Sequence, residues 1–362
     1  MQLFNEFNLG SITLKNRIVM APMTRSRAID NIPNTLMATY YEQRSAAGLI
    51  ITEGTTPSPN GLGYPRIPGI FNQEQIDGWK HVTQAVHNKG GKIFIQLMHT
   101  GRVSHPDNMP DGSKILAPSA VGISGEMYTD KSGPQAYPIP QEMTGAEIKE
   151  TIDEYVTASK NAMEAGFDGV ELHGANGYLI DQFINPCSNK RNDAYGGSIE
   201  KRNRFAIEIA QKVSETIGSD KTGIRLSPYG AFNDMEVFDG LEESYEHLAR
   251  ELSKRQLAYI HIVDHSAMGA PEVPASVKAK IKEAFGRTII ASGGYTKETA
   301  EAAIEENNGD LVAFGRPFLS NPDLIYRMKN GIALTDPDFD TFYTPGEKGY
   351  IDYKTSQELE NV

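Results

Sequence analysis

Within FDGVELHGANGYLIDQF, residues 167–183, an apolar run ends in His173, Asn176 and Tyr178. An imidazole and a carboxamide are neutral hydrogen-bond donors, and a phenol is a weak acid. Together they could hold an oxygen that gains negative charge and deliver a proton beside it. A lone histidine at a strand end is more ordinarily a satisfied core residue, so the trio takes its meaning from its surroundings. A metal reading has little support. His173 has no His-x-His or His-x-x-x-His partner, and the neighbouring candidate ligand is an amide.

Placing such a trio requires a scaffold, and eight apolar runs supply one: 18–22, 49–54, 92–97, 169–174, 222–228, 259–264, 288–294 and 311–316. Most read as strands buried on both faces. Helical patterns alternate with them. The clearest begins at Thr144, which forms a capping box with Glu147. Ile148, Ile152, Tyr155, Ser159 and Met163 then fall on one stripe closed by Gly166. Strand and helix alternating in this way predict one (β/α)8 barrel over residues 1–362. Residues 98–143, between strand 3 and helix 3, are too long for a turn, and they predict a capping insertion with its own hairpin.

The 362 residues are 39% hydrophobic, with mean hydropathy −0.42, enough for a large core and too polar for a membrane span. A net charge of −12 without a basic block disfavours nucleic acid or an anionic membrane as partner and favours a small molecule. The first residues show no export pattern, and Cys187 is the single cysteine, so a cytoplasmic monomer or homodimer is expected. Cys187 has no base beside it and reads as inert. The lone Trp79 fits a helix packed outside the barrel.

Active sites of such barrels lie at the carboxyl ends of the strands. Those ends offer Thr24, Glu53 and Gly54, then Gln96 and His99, then the opening trio. Arg225, Asp264, His265, the pair Gly293 and Gly294, and the pair Gly315 and Arg316 follow. The last two pairs sit where such barrels bind phosphate: glycines let backbone N–H groups approach an anion, Thr296 opens a helix, and Arg316 offers a fork of donors. Tight turns would use the same glycines. Gln96 and Arg225 are polar groups inside strands and need partners. A flat heterocycle with several acceptors and a distal phosphate, as in flavin mononucleotide (FMN), would satisfy them together with Thr24; a salt bridge from Arg225 to Glu171 is the alternative.

Long stretches then match a known pattern: LKNRIVMAPMTR (14–25), YYEQRSAAGLIITEGT (40–55), IQLMHTGR (95–102), residues 171–205, IRLSP (224–228) and FGRPFLSNPDL (314–324). From about Leu3 to Tyr353 the chain resembles the Old Yellow Enzyme family of FMN-dependent oxidoreductases. The resemblance implies that Ala21, Pro22, Met23, Thr24, Gly54, Gln96, His173, Arg225, Gly293, Gly294, Gly315 and Arg316 contact FMN, with NADPH or NADH as electron donor. It implies that His173 and Asn176 bind the carbonyl or nitro oxygen of an electron-poor alkene and that Tyr178 gives the proton. Tyr64, Asn233 and Tyr343 would edge the substrate mouth.

One position departs from the pattern. Family members with Thr after strand 1 often carry tryptophan two residues beyond the strand 3 glutamine, and here Met98 stands there. A flexible thioether should reshape the cavity. Other barrel chemistries fit less well: an aldolase needs a lysine at a strand's end, and Lys92 and Lys221 lie at strand beginnings. A glycosidase needs facing carboxylates. A flavin-binding protein without catalysis would need no trio.

Overall fold

The computed structural model describes residues 1–360. Eight parallel strands close into a barrel in chain order. They are β1 (Ile18–Met20), β2 (Leu49–Thr55), β3 (Ile93–Leu97), β4 (Gly169–Gly174), β5 (Thr222–Leu226), β6 (Tyr259–Val263), β7 (Thr288–Ser292) and β8 (Leu311–Phe314). Five strands end one or two residues earlier than their apolar runs, β3 and β4 end where the runs do, and β2 extends one residue further. Arg316, for example, lies beyond β8 and starts a short helix, Arg316–Ser320. Residues 361–362 of the expected domain lie outside the described residues.

Apolar side chains fill two regions. Val19, Leu49, Ile51, Phe94, Tyr259, Ile290 and Leu311 pack inside the barrel. A larger shell joins the strands' outer faces to the helices. Room for the inner rings comes from glycine: a Cβ on Gly169 would lie 2.3 Å from Cζ of Phe94, and one on Gly223 would lie 2.3 Å from Cζ of Tyr259. An N-terminal hairpin, Phe7–Leu9 paired with Ile12–Leu14, adds Leu9 and Leu14 to the same inner cluster and closes that end. Nothing in the apolar runs predicts this hairpin.

The helix expected after residue 144 spans Gly145–Glu164 and begins with the Thr144/Glu147 capping box. Ile148, Ile152, Tyr155 and Ser159 are buried, whereas Ala162 takes the last buried place and Met163 is half-buried. Gly166 follows with φ +87°, a conformation that favours glycine. Trp79 is fully buried on the helix Gln73–Asn88, where its indole N–H donates to the Gly69 carbonyl at 3.0 Å. Residues 98–143 contain a hairpin, Glu126–Thr129 against Gly133–Ala136.

A C-terminal segment folds back beside the barrel mouth. Buried Arg25 and Arg27 hold it through its carbonyls. Arg25 reaches Gly349 at 2.7 Å, and Arg27 reaches Phe342 at 2.7 Å and Thr341 at 2.8 Å. Among the described residues no helix is long and apolar enough to cross a membrane.

Candidate active site

A cavity of about 760 Å³ opens at the carboxyl end of the barrel. Its floor comes from strand ends: Pro22, Thr24, Gly54, Gln96, Met98, His173, Asn176 and Tyr178. Tyr64 and Arg66 from the loop after β2, Met127, Tyr128 and Tyr137 from the insertion, and Phe339 and Tyr343 from the C-terminal segment form the sides. Arg66 pairs with Asp130 and donates to the Tyr343 carbonyl at 2.8 Å, so one guanidinium joins the insertion to the C-terminal segment.

The opening trio converges here. The Ala175 N–H donates to His173 Nδ1 at 3.3 Å, which leaves the proton on Nε2. Burial, then the cationic Arg225, hold the His173 pKa well below the ordinary value, so the ring is a neutral donor. Asn176 adopts φ +60°, which asparagine tolerates better than most residues. Its N–H donates to Ser227 Oγ at 2.8 Å, and its carbonyl accepts from Asn233 Nδ2 at 2.7 Å. Tyr178 stands edge-on to His173, with ring centroids 4.8 Å apart, and its hydroxyl donates to Tyr64 Oη at 3.1 Å. Burial pushes the Tyr178 pKa up to about 12, so it holds its proton at neutral pH.

Beneath the trio lies a buried polar layer. Gln96 Nε2 donates to Glu171 Oε1 at 2.8 Å, His261 Nδ1 meets Glu171 Oε2 at 2.9 Å, and Arg225 Nη1 donates to His261 Nε2 at 2.9 Å. Arg225 therefore reaches Glu171 through His261 rather than by the direct salt bridge that the sequence left open. Burial alone would raise the Glu171 pKa, yet His261 and Arg225 hold it below the usual carboxylate range. Burial brings Arg225 down to about 10, which still leaves a cation at neutral pH. Its Nε is buried without a partner.

The remaining expected residues stand outside the cavity walls. Ala21 is buried, with its N–H on the Phe314 carbonyl at 2.9 Å. Met23 lies beside Gly315. Gly293 has φ +146°, and a Cβ on it would lie 2.5 Å from the Asp264 carbonyl oxygen, so close backbone approach explains it; Gly294 has φ +66°, and a Cβ there would lie 2.7 Å from the Ala267 Cβ. Arg316 is exposed, over the Phe339 ring at 5.6 Å. Asn233 donates from Nδ2 to the Asn176 carbonyl at 2.7 Å. His99 is fully buried, and burial lowers its pKa to about 3, which makes it a structural neutral ring. Cys187 is half-buried, with its thiol 3.6 Å from the Asp234 carbonyl. Sequence reasoning gave no role to His261, Ser227, Arg66 or Phe339. The alternation of inward positions on β6 was the one signal pointing to His261.

A closed parallel barrel whose mouth gathers neutral donors, a protonated phenol and a buried cation defines a strand-end enzyme of the barrel class. The model of the NADH:flavin oxidoreductase / NADH oxidase family matches residues 2–335. A chanoclavine-I aldehyde reductase of Penicillium roqueforti is 42% identical, the match covering 100% of this chain and 98% of that protein. The 12-oxophytodienoate reductase 7 of Oryza sativa is 39% identical over 97% of this chain and 94% of its own. The solved structure of morphinone reductase superposes with TM-score 0.95 at 40% identity, covering 99% and 98% of the two chains. The chain belongs to the NADH:flavin oxidoreductase / NADH oxidase family. It is an FMN-dependent oxidoreductase that draws electrons from a nicotinamide donor.

Proposed function

We propose that the cavity is an ene-reductase site, reducing the C=C bond of α,β-unsaturated carbonyl or nitro compounds, and that the trio carries the half of the reaction supplied by the chain. The convergence of two neutral donors and one protonated phenol on a single cavity is the observation that supports it. His173 and Asn176 donate to the activating oxygen, and this contact strengthens as negative charge builds there. Tyr178 holds its proton until the α-carbon needs it, and Tyr64 keeps the hydroxyl oriented through their 3.1 Å contact. Tyr128 and Tyr343, from the insertion and the C-terminal segment, complete the side walls. On this reading residues 98–143 cap the site.

FMN suits the residues beneath. Gly54 makes room for the Met98 side chain on the cavity floor, since a Cβ there would lie 2.5 Å from the methionine sulfur. The unpartnered Arg225 Nε and the Gln96 carbonyl, whose amide nitrogen is already engaged by Glu171, match the acceptors and imide N–H of an isoalloxazine. Thr24 adds a hydroxyl on the same floor. Gly293, Gly294, Gly315 and Arg316 would take the phosphate, and Ala21, Pro22 and Met23 would border the ring. When bound, FMN supplies the hydride. The names of the relatives, an alkene reductase of Leishmania infantum among them, support the same substrate class. The net charge of −12 supports small-molecule ligands over nucleic acid.

The test is spectroscopic. Purified protein supplied with FMN should be yellow, bleach anaerobically with NADH or NADPH, and recolour on addition of an enone or nitroalkene. Yellow protein that bleaches but never recolours with any such acceptor would overturn the ene-reductase reading.

A further inference from the structure

We propose that His265 is a positioning residue that sets which end of the Asn176 side-chain amide faces the substrate. This rests on the oxygen-binding role proposed for Asn176 and deepens it. The two ends of a carboxamide are nearly equal in size, so shape does not select between them. Presented as NH2, the end donates to a substrate oxygen; presented as C=O, it repels that oxygen. A neighbour that donates but cannot accept at the same atom makes the choice.

His265 is placed to do so. Its Nε2 lies 2.7 Å from Asn176 Oδ1, across 89 residues of sequence, and in its Nε2–H tautomer it donates to that oxygen. The other two polar groups of Asn176 that face the protein are already occupied, the N–H by Ser227 and the backbone carbonyl by Asn233. With His265 on Oδ1, only the NH2 end is left for the cavity, whose wall Asn176 forms. The imidazole is itself held. Phe232 packs edge-on against it at 4.5 Å, and the adjoining Asp264 carboxylate is taken by Lys278 at 2.7 Å and by the Ser266 N–H at 3.0 Å. Asn176 is thereby fixed on three sides while its donor end stays free.

Donor-only and acceptor-only replacements separate positioning from packing. The readout is the dissociation constant of a para-substituted phenol, followed by its long-wavelength band with FMN, alongside KM and kcat for a neutral enone. His265→Glu accepts where histidine donates and should turn the amide round, weakening phenol binding by about 10- to 100-fold and raising enone KM more than it lowers kcat. His265→Lys still donates and should stay within about threefold of wild type. In an Asn176→Ala background the His265→Glu effect should shrink to about threefold or less, because the group it acts through is gone. Equal losses in the Glu and Lys variants would reduce His265 to packing, and an undiminished loss in the Asn176→Ala background would show its charge acting directly; either result overturns the proposal. A wild-type protein that holds FMN yet gives no phenol band overturns the oxygen-binding reading itself, and this proposal with it.

Discussion

Two layers inside the barrel, one rung apart on the same strands, are built on opposite principles. In the lower, Phe94 on β3 and Tyr259 on β6 meet with ring centroids 6.0 Å apart, opposite Gly169 and Gly223. In the upper, the next inward residues are Gln96 and His261, and their lateral neighbours are Glu171 and Arg225. The lower layer is specified by volume: each ring fits because the facing residue has no Cβ. The upper is specified by donors and acceptors, and it leaves one buried guanidinium nitrogen open. Closing the barrel and presenting the site are thus assigned to different rungs. Mutations should separate them.

The sharpest separation is expected above both layers. Tyr178→Phe removes a hydroxyl from the cavity and leaves the ring, so stability should hardly change while enone turnover falls by about 10²–10⁴-fold. Bleaching by NADH should survive. Retained enone turnover would exclude Tyr178 as the acid. In the lower layer the pattern should invert: Phe94→Ala leaves a cavity beside Gly169 and should lower unfolding free energy by about 3–5 kcal/mol. Folded Phe94→Ala protein saturated with FMN should turn over near the wild-type rate. A large kcat loss without a stability loss would show that the layers are not independent.

Smaller effects refine the boundary. Met98 is almost fully buried in a cluster with Leu62 and Ile67, yet it also lines the cavity. Met98→Trp should keep FMN content and NADH oxidation while discriminating against bulky enones by about 10–200-fold in kcat/KM. Identical substrate profiles would place residue 98 outside the substrate's reach. A further expected signal is pH dependence. Burial lowers the His261 pKa to about 4, whereas an unfolded histidine titrates near about 6.5. Below pH 6.5 the unfolded chain takes up a proton that the folded one refuses, so stability falls as pH drops from about 6.5 toward 4, by up to about 1.4 kcal/mol per pH unit. His261→Gln should remove its share of this slope in denaturant titrations between pH 7 and 5, while His99, His173 and His265, also held neutral by burial, keep theirs. Phe94→Ala should shift the whole curve and leave its slope unchanged.

What could be read in the sequence follows the same division. Barrel strands were legible because burial on both faces leaves continuous apolar runs, and the trio was legible because it interrupts one of them. The ends of the runs misled by one or two residues where polar function begins, as at Arg316. The N-terminal hairpin escaped notice because each of its strands has only three residues, too few to show a period. His265 and Asn176 could be placed at strand ends, but their contact depends on how two loops lie against each other, which no local pattern encodes. Arg25 and Arg27 were silent for another reason. Their partners are main-chain carbonyls, which every residue has.

Those two arginines carry a consequence for the order in which the molecule is made. They lie within three residues of Thr24 on the cavity floor, yet most of the carbonyls they grip belong to residues 341–349. A nascent chain can bury its strands as they emerge, since domains form from the N-terminal side. The wall that carries Phe339 and Tyr343, however, cannot be fastened until residues 341–349 have emerged from the ribosome. Until then Arg25 and Arg27 lack the acceptors that the finished fold gives them. Completion of the cavity therefore waits for this segment, and a chain stopped short of residue 339 would be a barrel without one side of its mouth.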